Sequence, residues 1–433
     1  MLKDLRICMT EPTEPSSFGS MGCQYVMNAA RAAGYRIDYL RPEAQSRDYD
    51  VELISIHHCT DFPRFAKLQR RAPIRLVGGH PSVNNIRPAI PFGDAFCIGE
   101  GEEWIVASLN RIASGGTATD LADIPGTIVR SLHLPGAPIP AGNTVKPLPM
   151  HPPYLNRAGE GHARVWYIEM ARGCPFDCHY CELGWAWKYR PQKTHLLLEA
   201  VDSIDLKQSK RVSLFAPDEA SHPGYAEVLQ RIHDRGMITS FGSMRLDQIV
   251  KKNLPLKANM LVRVGLDGLT ESTRFRVNKP IRNDDVWNYF RFMSERGHAN
   301  FKVFMVFGYK WERLEDFDEF EDLWSRIIRI PRKVNAHVRV KFTPFIPQPS
   351  TPMGKDEPNY DPEMVGRITE WFSRYGRPIR RPGWFIESDG IMSARSHSLQ
   401  CRLTQGDETL LTNPSDWSGT ETLRGYDLDW NSM

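Results

Sequence analysis

The chain alternates apolar runs of strand length with stretches of helical spacing, and it does so twice. In the first series Leu5–Met9, Arg36–Leu40, Val51–Ile56, Ile74–Val77 and Asp94–Ile98 read as strands. Met21–Gly34, Phe62–Arg71 and Glu102–Arg111 read as helices. In the first of these helices Met21, Tyr25, Val26, Ala29, Ala30 and Ala33 fall at helical spacing, and Gly34 is a C-terminal stop signal. Strands separated by helices imply a parallel sheet covered on both faces. Ligands of such sheets bind at the carboxyl ends of the strands.

Residues 113–160 break the rhythm. They are rich in Gly, Pro, Ala and Thr and read as an irregular connection between domains. The second series then gives six strand-like runs: Val165–Met170, Arg211–Ala216, Ile238–Ser243, Leu261–Asp267, Phe301–Phe307 and Val338–Phe345. Between them lie helical stretches Thr194–Leu206, Gly224–Arg235, Leu246–Asn253, Asp284–Arg296 and Leu314–Ile330. Successive β/α units favour a parallel barrel or an open fraction of one, with its working residues at the carboxyl ends of the strands. A further helix is predicted over Pro362–Tyr375, and the tail from Leu410 to Met433 is polar apart from Trp417 and Trp430.

Composition narrows the class. The 433 residues suffice for two or three domains. A net charge of +3 does not mark the whole molecule as a polyanion binder. No apolar run approaches the roughly 18 residues of a membrane span, and the charged start Met1–Met9 does not read as a signal peptide. Five of the cysteines, Cys8, Cys23, Cys59, Cys97 and Cys401, are scattered, which suits a reducing interior. The expectation is a cytoplasmic protein without a membrane partner.

The other three cysteines are clustered. Cys174, Cys178 and Cys181 stand in a C-x3-C-x2-C pattern directly after the first run of the second series. Three thiolates on one tight loop can hold three irons of a [4Fe–4S] cluster and leave the fourth iron open. An open metal position is where a small molecule can bind and react. Structural zinc wants four ligands, and neither His179, between two of the cysteines, nor the distant Cys401 is well placed as the fourth. A disulfide would leave a thiol over.

The segment Arg172–Arg190 closely resembles the radical S-adenosylmethionine (radical SAM) superfamily, down to the aromatic Tyr180 before the last cysteine. The resemblance implies a partial (β/α)6 barrel with its cluster loop after the first strand. It implies that SAM chelates the open iron through its amino and carboxylate groups. One electron from the reduced cluster would then release methionine and a 5′-deoxyadenosyl radical, which attacks an unactivated C–H bond. By the same resemblance Asp218 and Glu219 sit near the SAM amino group, Ser243 and Arg245 near its ribose or carboxylate, and Gly265 where the backbone closes on SAM. Asp267, at the same strand end as Gly265, is a further cofactor-binding candidate. For the acidic residues a solvated loop charge or a helix cap is the plainer reading. The run Thr343–Pro352 resembles a Pro-rich segment of radical SAM proteins that carry cobalamin-type domains or act as methylthiotransferases.

The first series has a resemblance of its own. Val77-Gly-Gly-His80-Pro81 and Ile98-Gly-Glu-Gly-Glu102 resemble signatures of cobalamin-binding domains that precede radical SAM domains, with His and Pro reversed in the former. The Asp-x-His-x-x-Gly motif that supplies a cobalt ligand elsewhere is absent, and tight turns would also account for the glycines. The expected organisation is a Rossmann-like cobalamin-binding-type domain over 1–115, a linker over 116–160, a radical SAM barrel over 161–352 and an extension over 353–433.

The implied enzyme modifies an unactivated carbon, by methylation if cobalamin is bound or by radical rearrangement or isomerisation if it is not. A flavodoxin or ferredoxin is the implied electron donor. Arg374, Arg377, Arg380 and Arg381, with Tyr375, Trp384 and Phe385, form a basic aromatic tract, and Arg326–Lys333 forms another. Such tracts suit a DNA or RNA base or a nucleotide as substrate. They also suit a solvated surface, and a peptide or natural product is the other substrate class. An iron–sulfur redox sensor would explain the cysteines but not the β/α units after them, and a cobalamin-binding module without radical chemistry predicts corrinoid absorbance that survives loss of the cluster.

Overall fold

The computed structural model describes residues 5–12, 20–45, 48–156, 164–240, 242–375 and 382–413. The chain forms two compact units, Met1–Ala163 with Ser398–Met433, and Arg164–His397.

In the first unit the elements run β1 (Ile7–Thr10), α1 (Met21–Ala32), β2 (Ile37–Tyr39), β3 (Val51–Ile56), α2 (Phe62–Lys67), β4 (Ile74–Gly79), β5 (Ala95–Cys97), α3 (Glu102–Ala113) and β6 (Thr127–Val129). The sheet order is β2-β1-β3-β4-β5-β6, with β1 to β5 parallel. Every residue of β3 is buried, and the strand alternates between two cores. Leu53 packs with Met9, Met27, Leu76 and Trp104, while Ile54 packs with Phe62, Phe65, Val77 and Phe96. A sheet covered on both faces reads as one apolar run for this reason. Glu52 is the exception: its buried carboxylate is held by Arg75 Nε at 2.8 Å and Arg71 Nη1 at 3.3 Å. A buried charge of this kind is tolerable only when paired.

The stretch expected as an irregular connection is folded onto this unit as far as Val145. Strand β6 pairs antiparallel to β5. Asn143 N–H donates to Ile98 O at 2.7 Å, Glu100 N–H to Asn143 O at 3.1 Å, and Val145 N–H to the Glu100 carboxylate at 2.6 Å. A short edge strand followed by Gly- and Pro-rich chain carries no periodicity from which this could be read.

The second unit holds β7 (Trp166–Glu169), α4 (Thr194–Ser203), β8 (Arg211–Phe215), α5 (Tyr225–Asp234), β9 (Ile238–Ser240), β10 (Ser243–Met244), α6 (Leu246–Lys251) and β11 (Leu261–Gly265). It continues with α7 (Glu271–Arg276), α8 (Asn283–Glu295), β12 (Asn300–Phe307), α9 (Asp316–Ile327), β13 (Ala336–Pro344), α10 (Pro362–Tyr375) and β14 (Trp384–Ile391). A last helix, α11 (Ala394–Gln405), contains the division between the units. Strands β7, β8 and β9 form one parallel set and β10 to β14 another. All six expected strands are present, but Ile238–Ser243 divides. Its first half pairs with β8 and its second with β11, and ahead of the second half Gly242 N–H donates to the Glu219 carboxylate at 2.6 Å.

Strand β14, whose first residues were read as part of a basic tract, adds parallel to β13. Trp384 and Ile386 are buried, and Trp384 packs on Phe290 and Phe301. Trp324, Trp371, Phe320 and Phe342 continue this aromatic layer between strands and helices. On the opposite pleat Arg263, Lys302 and Arg339 stand in one register row, with Lys302 paired to Asp389 at 2.7 Å. Among the described residues no helix is long and apolar enough to cross a membrane.

Candidate functional site

The three clustered cysteines lie on a loop that leaves the carboxyl end of β7, and the loop is tied at many points. Its base is closed by a short antiparallel ribbon pairing Ala171–Arg172 with Arg190–Pro191. Arg172 Nε reaches back to the Glu169 carboxylate at 2.8 Å. Inside the loop Cys174 N–H donates to Leu183 O at 3.2 Å and Cys181 N–H to Cys178 O at 3.2 Å. The Trp185 indole N–H donates to Cys178 O at 2.9 Å. Gly173 has φ +69°, and a Cβ there would fall 2.5 Å from Trp187 O, so only glycine fits.

Other parts of the barrel hold the loop from outside. His179 N–H donates to Val277 O at 2.9 Å, Asn278 Nδ2 to Asp177 O at 2.8 Å, and Met353 N–H to His179 O at 3.2 Å. Tyr180 packs on a small apolar cluster of Val277, Tyr309, Phe345 and Met353. The Pro-rich run after β13 is therefore part of the support of the cysteine loop.

Cys178 is buried and Cys174 and Cys181 are half-buried. Removal from water pushes the thiols of Cys174 and Cys181 up to about 12. Burial also raises that of Cys178, against the opposing charge of Lys279. Such thiols hold their protons until a metal displaces them. Among the described residues no group of three or more His, Cys, Asp or Glu side chains converges on a single metal ion. A cluster makes no such demand, because each thiolate binds a different iron. Three sulfur donors on one braced loop fit a [4Fe–4S] cluster.

The other candidate residues fall into two groups. In the first, Asp218 is buried, and its carboxylate accepts from Arg245 N–H at 2.7 Å and from the Ser221 hydroxyl. Arg245 turns its guanidinium to Asp247 at 2.9 Å and lies 4.2 Å over the Phe176 ring of the cysteine loop. Glu219 is fully buried and accepts from Gly242 N–H and, at 3.3 Å, from the Tyr225 hydroxyl. Ser243 is exposed on β10. In the second group Asp267, with φ +55°, accepts from the Tyr180 hydroxyl at 2.7 Å and is ion-paired to Lys279. A Cβ on Gly265 would meet that same Asp267 carboxylate at 2.7 Å.

Lys279 and Phe176 were not legible as site residues. Lys279 sits in a Val-Asn-Lys-Pro stretch after α7 that reads only as the end of a helix. Several described residues of the basic aromatic tracts have partners within the protein. Arg374 pairs with Glu321 at 2.5 Å, Arg332 lies over Trp384, and Phe385 stacks on His337. Arg377, Arg380 and Arg381 lie outside the described residues, as do Trp417 and Trp430.

Burial of Glu219 raises its carboxyl from 4.5 to about 8. Between those values the unfolded chain ionises this group and the folded chain does not. Stability therefore falls as pH rises through that window and levels off above it. Glu219→Gln, which keeps an acceptor for Gly242 N–H, is expected to flatten this fall in urea midpoints measured from pH 5 to 8. Parallel curves for variant and wild type would mean that Glu219 is already charged at neutral pH.

In the first unit the sheet order reverses between β1 and β3, the place where ligands of such sheets bind. There buried Glu11 accepts from His57 Nε2 at 2.6 Å, the Tyr39 hydroxyl at 2.5 Å and Ser20 N–H at 3.1 Å. The glycine signatures have a nearer explanation. A Cβ on Gly79 would lie 2.0 Å from Ile56 O, and one on Gly99 2.5 Å from Asn143 N and O.

Residues 168–323 match the family model described as the Radical SAM superfamily. A protein of Methanocaldococcus jannaschii described as uncharacterized is 23% identical over 377 residues, covering 84% of this chain and 79% of that protein. The hopanoid C-3 methylase of Methylococcus capsulatus is 26% identical over 234 residues, 46% of this chain and 42% of the methylase. Among solved structures the fold is similar to that of TsrM from Kitasatospora setae, a radical S-adenosylmethionine methyltransferase with tryptophan substrate and a SAM analogue bound. The TM-score is 0.60 at 14% identity, over 81% of this chain and 75% of TsrM. A second TsrM structure holds cobalamin and a [4Fe–4S] cluster.

Proposed function

We propose, from the premise that this chain belongs to the radical SAM superfamily, that it methylates a carbon atom of its substrate with the help of a corrinoid held by the first unit. It is an enzyme of radical SAM type, and a [4Fe–4S] cluster and SAM are the cofactors of that family. The observation that carries the reading is the pairing of two features in one chain. Three thiols stand on a braced loop at the end of the first barrel strand, and a separate unit has the sheet order of a ligand-binding parallel fold. The likeness to a cobalamin-containing methyltransferase and to a methylase supports methyl transfer over rearrangement.

In this reading Cys174, Cys178 and Cys181 hold the cluster, which supplies an electron to the sulfonium of SAM. Asp218, Ser243, Arg245, Gly265 and Asp267 would hold SAM, and the fully buried Glu219 would act through the Gly242 backbone. Glu219, protonated at neutral pH, offers a neutral carboxyl next to the Gly242 backbone. Arg245, laid over Phe176, braces the loop. A low-potential carrier such as flavodoxin or ferredoxin delivers the electron, and the reducing cytoplasm is the compartment that suits the cluster. The corrinoid belongs to the region read as 1–115, where the His57–Glu11 pair marks the ligand end of the sheet. A polynucleotide substrate has lost Trp384 as a stacking surface, since it is packed internally, while Phe385 is half-buried against the exposed His337 ring. A peptide or natural-product scaffold is the better-supported substrate class.

The test is anaerobic loading with iron, sulfide and hydroxocobalamin, followed by SAM and a reductant. The expected result is about one corrinoid per chain, together with S-adenosylhomocysteine as the mark of methyl donation. A protein that takes up its iron but no corrinoid would overturn the methyl-transfer reading.

A further inference from the structure

Lys279 is the cation that the sequence did not single out, and its position is fixed from several sides. Its backbone is held at both ends, with Lys279 N–H donating to Arg274 O at 2.8 Å and Ile281 N–H to Lys279 O at 2.7 Å. Its side chain is only 8% exposed and its ammonium group is ion-paired to Asp267. The same Asp267 oxygen accepts from the hydroxyl of Tyr180, which lies between Cys178 and Cys181. A Cβ on Gly265 would stand 3.0 Å from Nζ, which places the ammonium at the end of β11. The charged and titratable groups that act on it are Asp267, Cys178 and Arg245, and its own charge reaches Cys174 and Asp218.

We propose that Lys279 is a fixed cation that sets the reduction potential of the cluster held by Cys174, Cys178 and Cys181, and that Asp267 partly masks it. The inference rests on the cluster assignment above. One electron entering the cluster makes it more negative, and a buried cation nearby favours that reduced form. Burial strengthens the effect, because little water is present to screen it. Lys279 is thus a tuning residue that acts through its charge.

The experiment is an anaerobic redox titration of the reconstituted protein, without SAM, followed by the electron paramagnetic resonance signal of the reduced cluster. Lys279→Met is expected to lower the midpoint potential, Asp267→Asn to raise it, and Lys279→Arg to leave it near the wild-type value. Opposed shifts are the signature of charge, since lost packing would move both variants the same way. Unchanged midpoints at full iron content, or shifts of the same sign, would overturn the proposal. So would loss of iron in Lys279→Met with retention in Lys279→Arg, which would make the cation a requirement for assembly. If wild-type protein itself takes up no iron, the cluster assignment falls instead.

Discussion

Alanine at Cys174, Cys178 or Cys181 is expected to remove the iron–sulfur absorbance of the reconstituted protein and all cleavage of SAM. Under the proposed assignment each thiolate holds a different iron, so no remaining cysteine can replace the one lost. The backbone of the loop is secured independently of the sulfurs, through Leu183 O, Val277 O and the ribbon at its base. The folded protein should therefore survive each substitution, and a cooperative unfolding transition near that of wild type is the check. Cys401→Ala is the matched control. Cys401 lies on α11 within the first unit, whereas the clustered cysteines belong to the second. Iron analysis of the four variants after anaerobic reconstitution decides the matter. Loss of iron on replacing Cys401 would mean a fourth protein ligand and no open iron.

Gly79→Ala has the other large expected effect, on stability. Gly79 has φ +120° and ψ −177°, a region essentially closed to other residues. Holding alanine there costs about 1–3 kcal/mol. The added methyl would also lie 2.0 Å from Ile56 O and 2.8 Å from Ile56 N, both backbone atoms of the neighbouring strand. Forcing β3 and β4 apart adds overpacking strain of roughly 1–3 kcal/mol or more. That is a large part of the ~5–15 kcal/mol that holds a domain together. The first unit is expected to unfold at much lower urea in this variant, or not to fold. Wild-type stability with impaired corrinoid binding would show instead that the glycine cradles a ligand.

Gly79 also shows how much of the site could be read from the chain. The Val-Gly-Gly run pointed to the right strand end, but the close contact behind it is between two backbones, which no sequence pattern displays. The helix Pro362–Tyr375 was legible to the residue because its apolar face is periodic and Pro stands at its start. The strand Ile238–Ser243 was legible as apolar chain but not as two strands, because the partners of its halves, and the Glu219 carboxylate that reaches Gly242, come from elsewhere in the chain. Strand β14 was hidden by arginines beside it, although Trp384 and Ile386 alternate as a half-buried strand should. The cysteines announced themselves by their spacing together with the strand before them and the β/α units after them. Lys279 did not, since its meaning comes from Asp267 and Tyr180, residues far from it in the chain that tertiary folding brings to the same carboxylate oxygen.

The most direct measurement is the fate of SAM when the reconstituted protein is reduced in the absence of oxygen. Protein carrying its full iron, given SAM and a low-potential reductant, is expected to release 5′-deoxyadenosine, with none from Cys178→Ala. Intact SAM after prolonged incubation of fully iron-loaded protein, with the cluster shown to be reduced, would contradict a radical SAM enzyme.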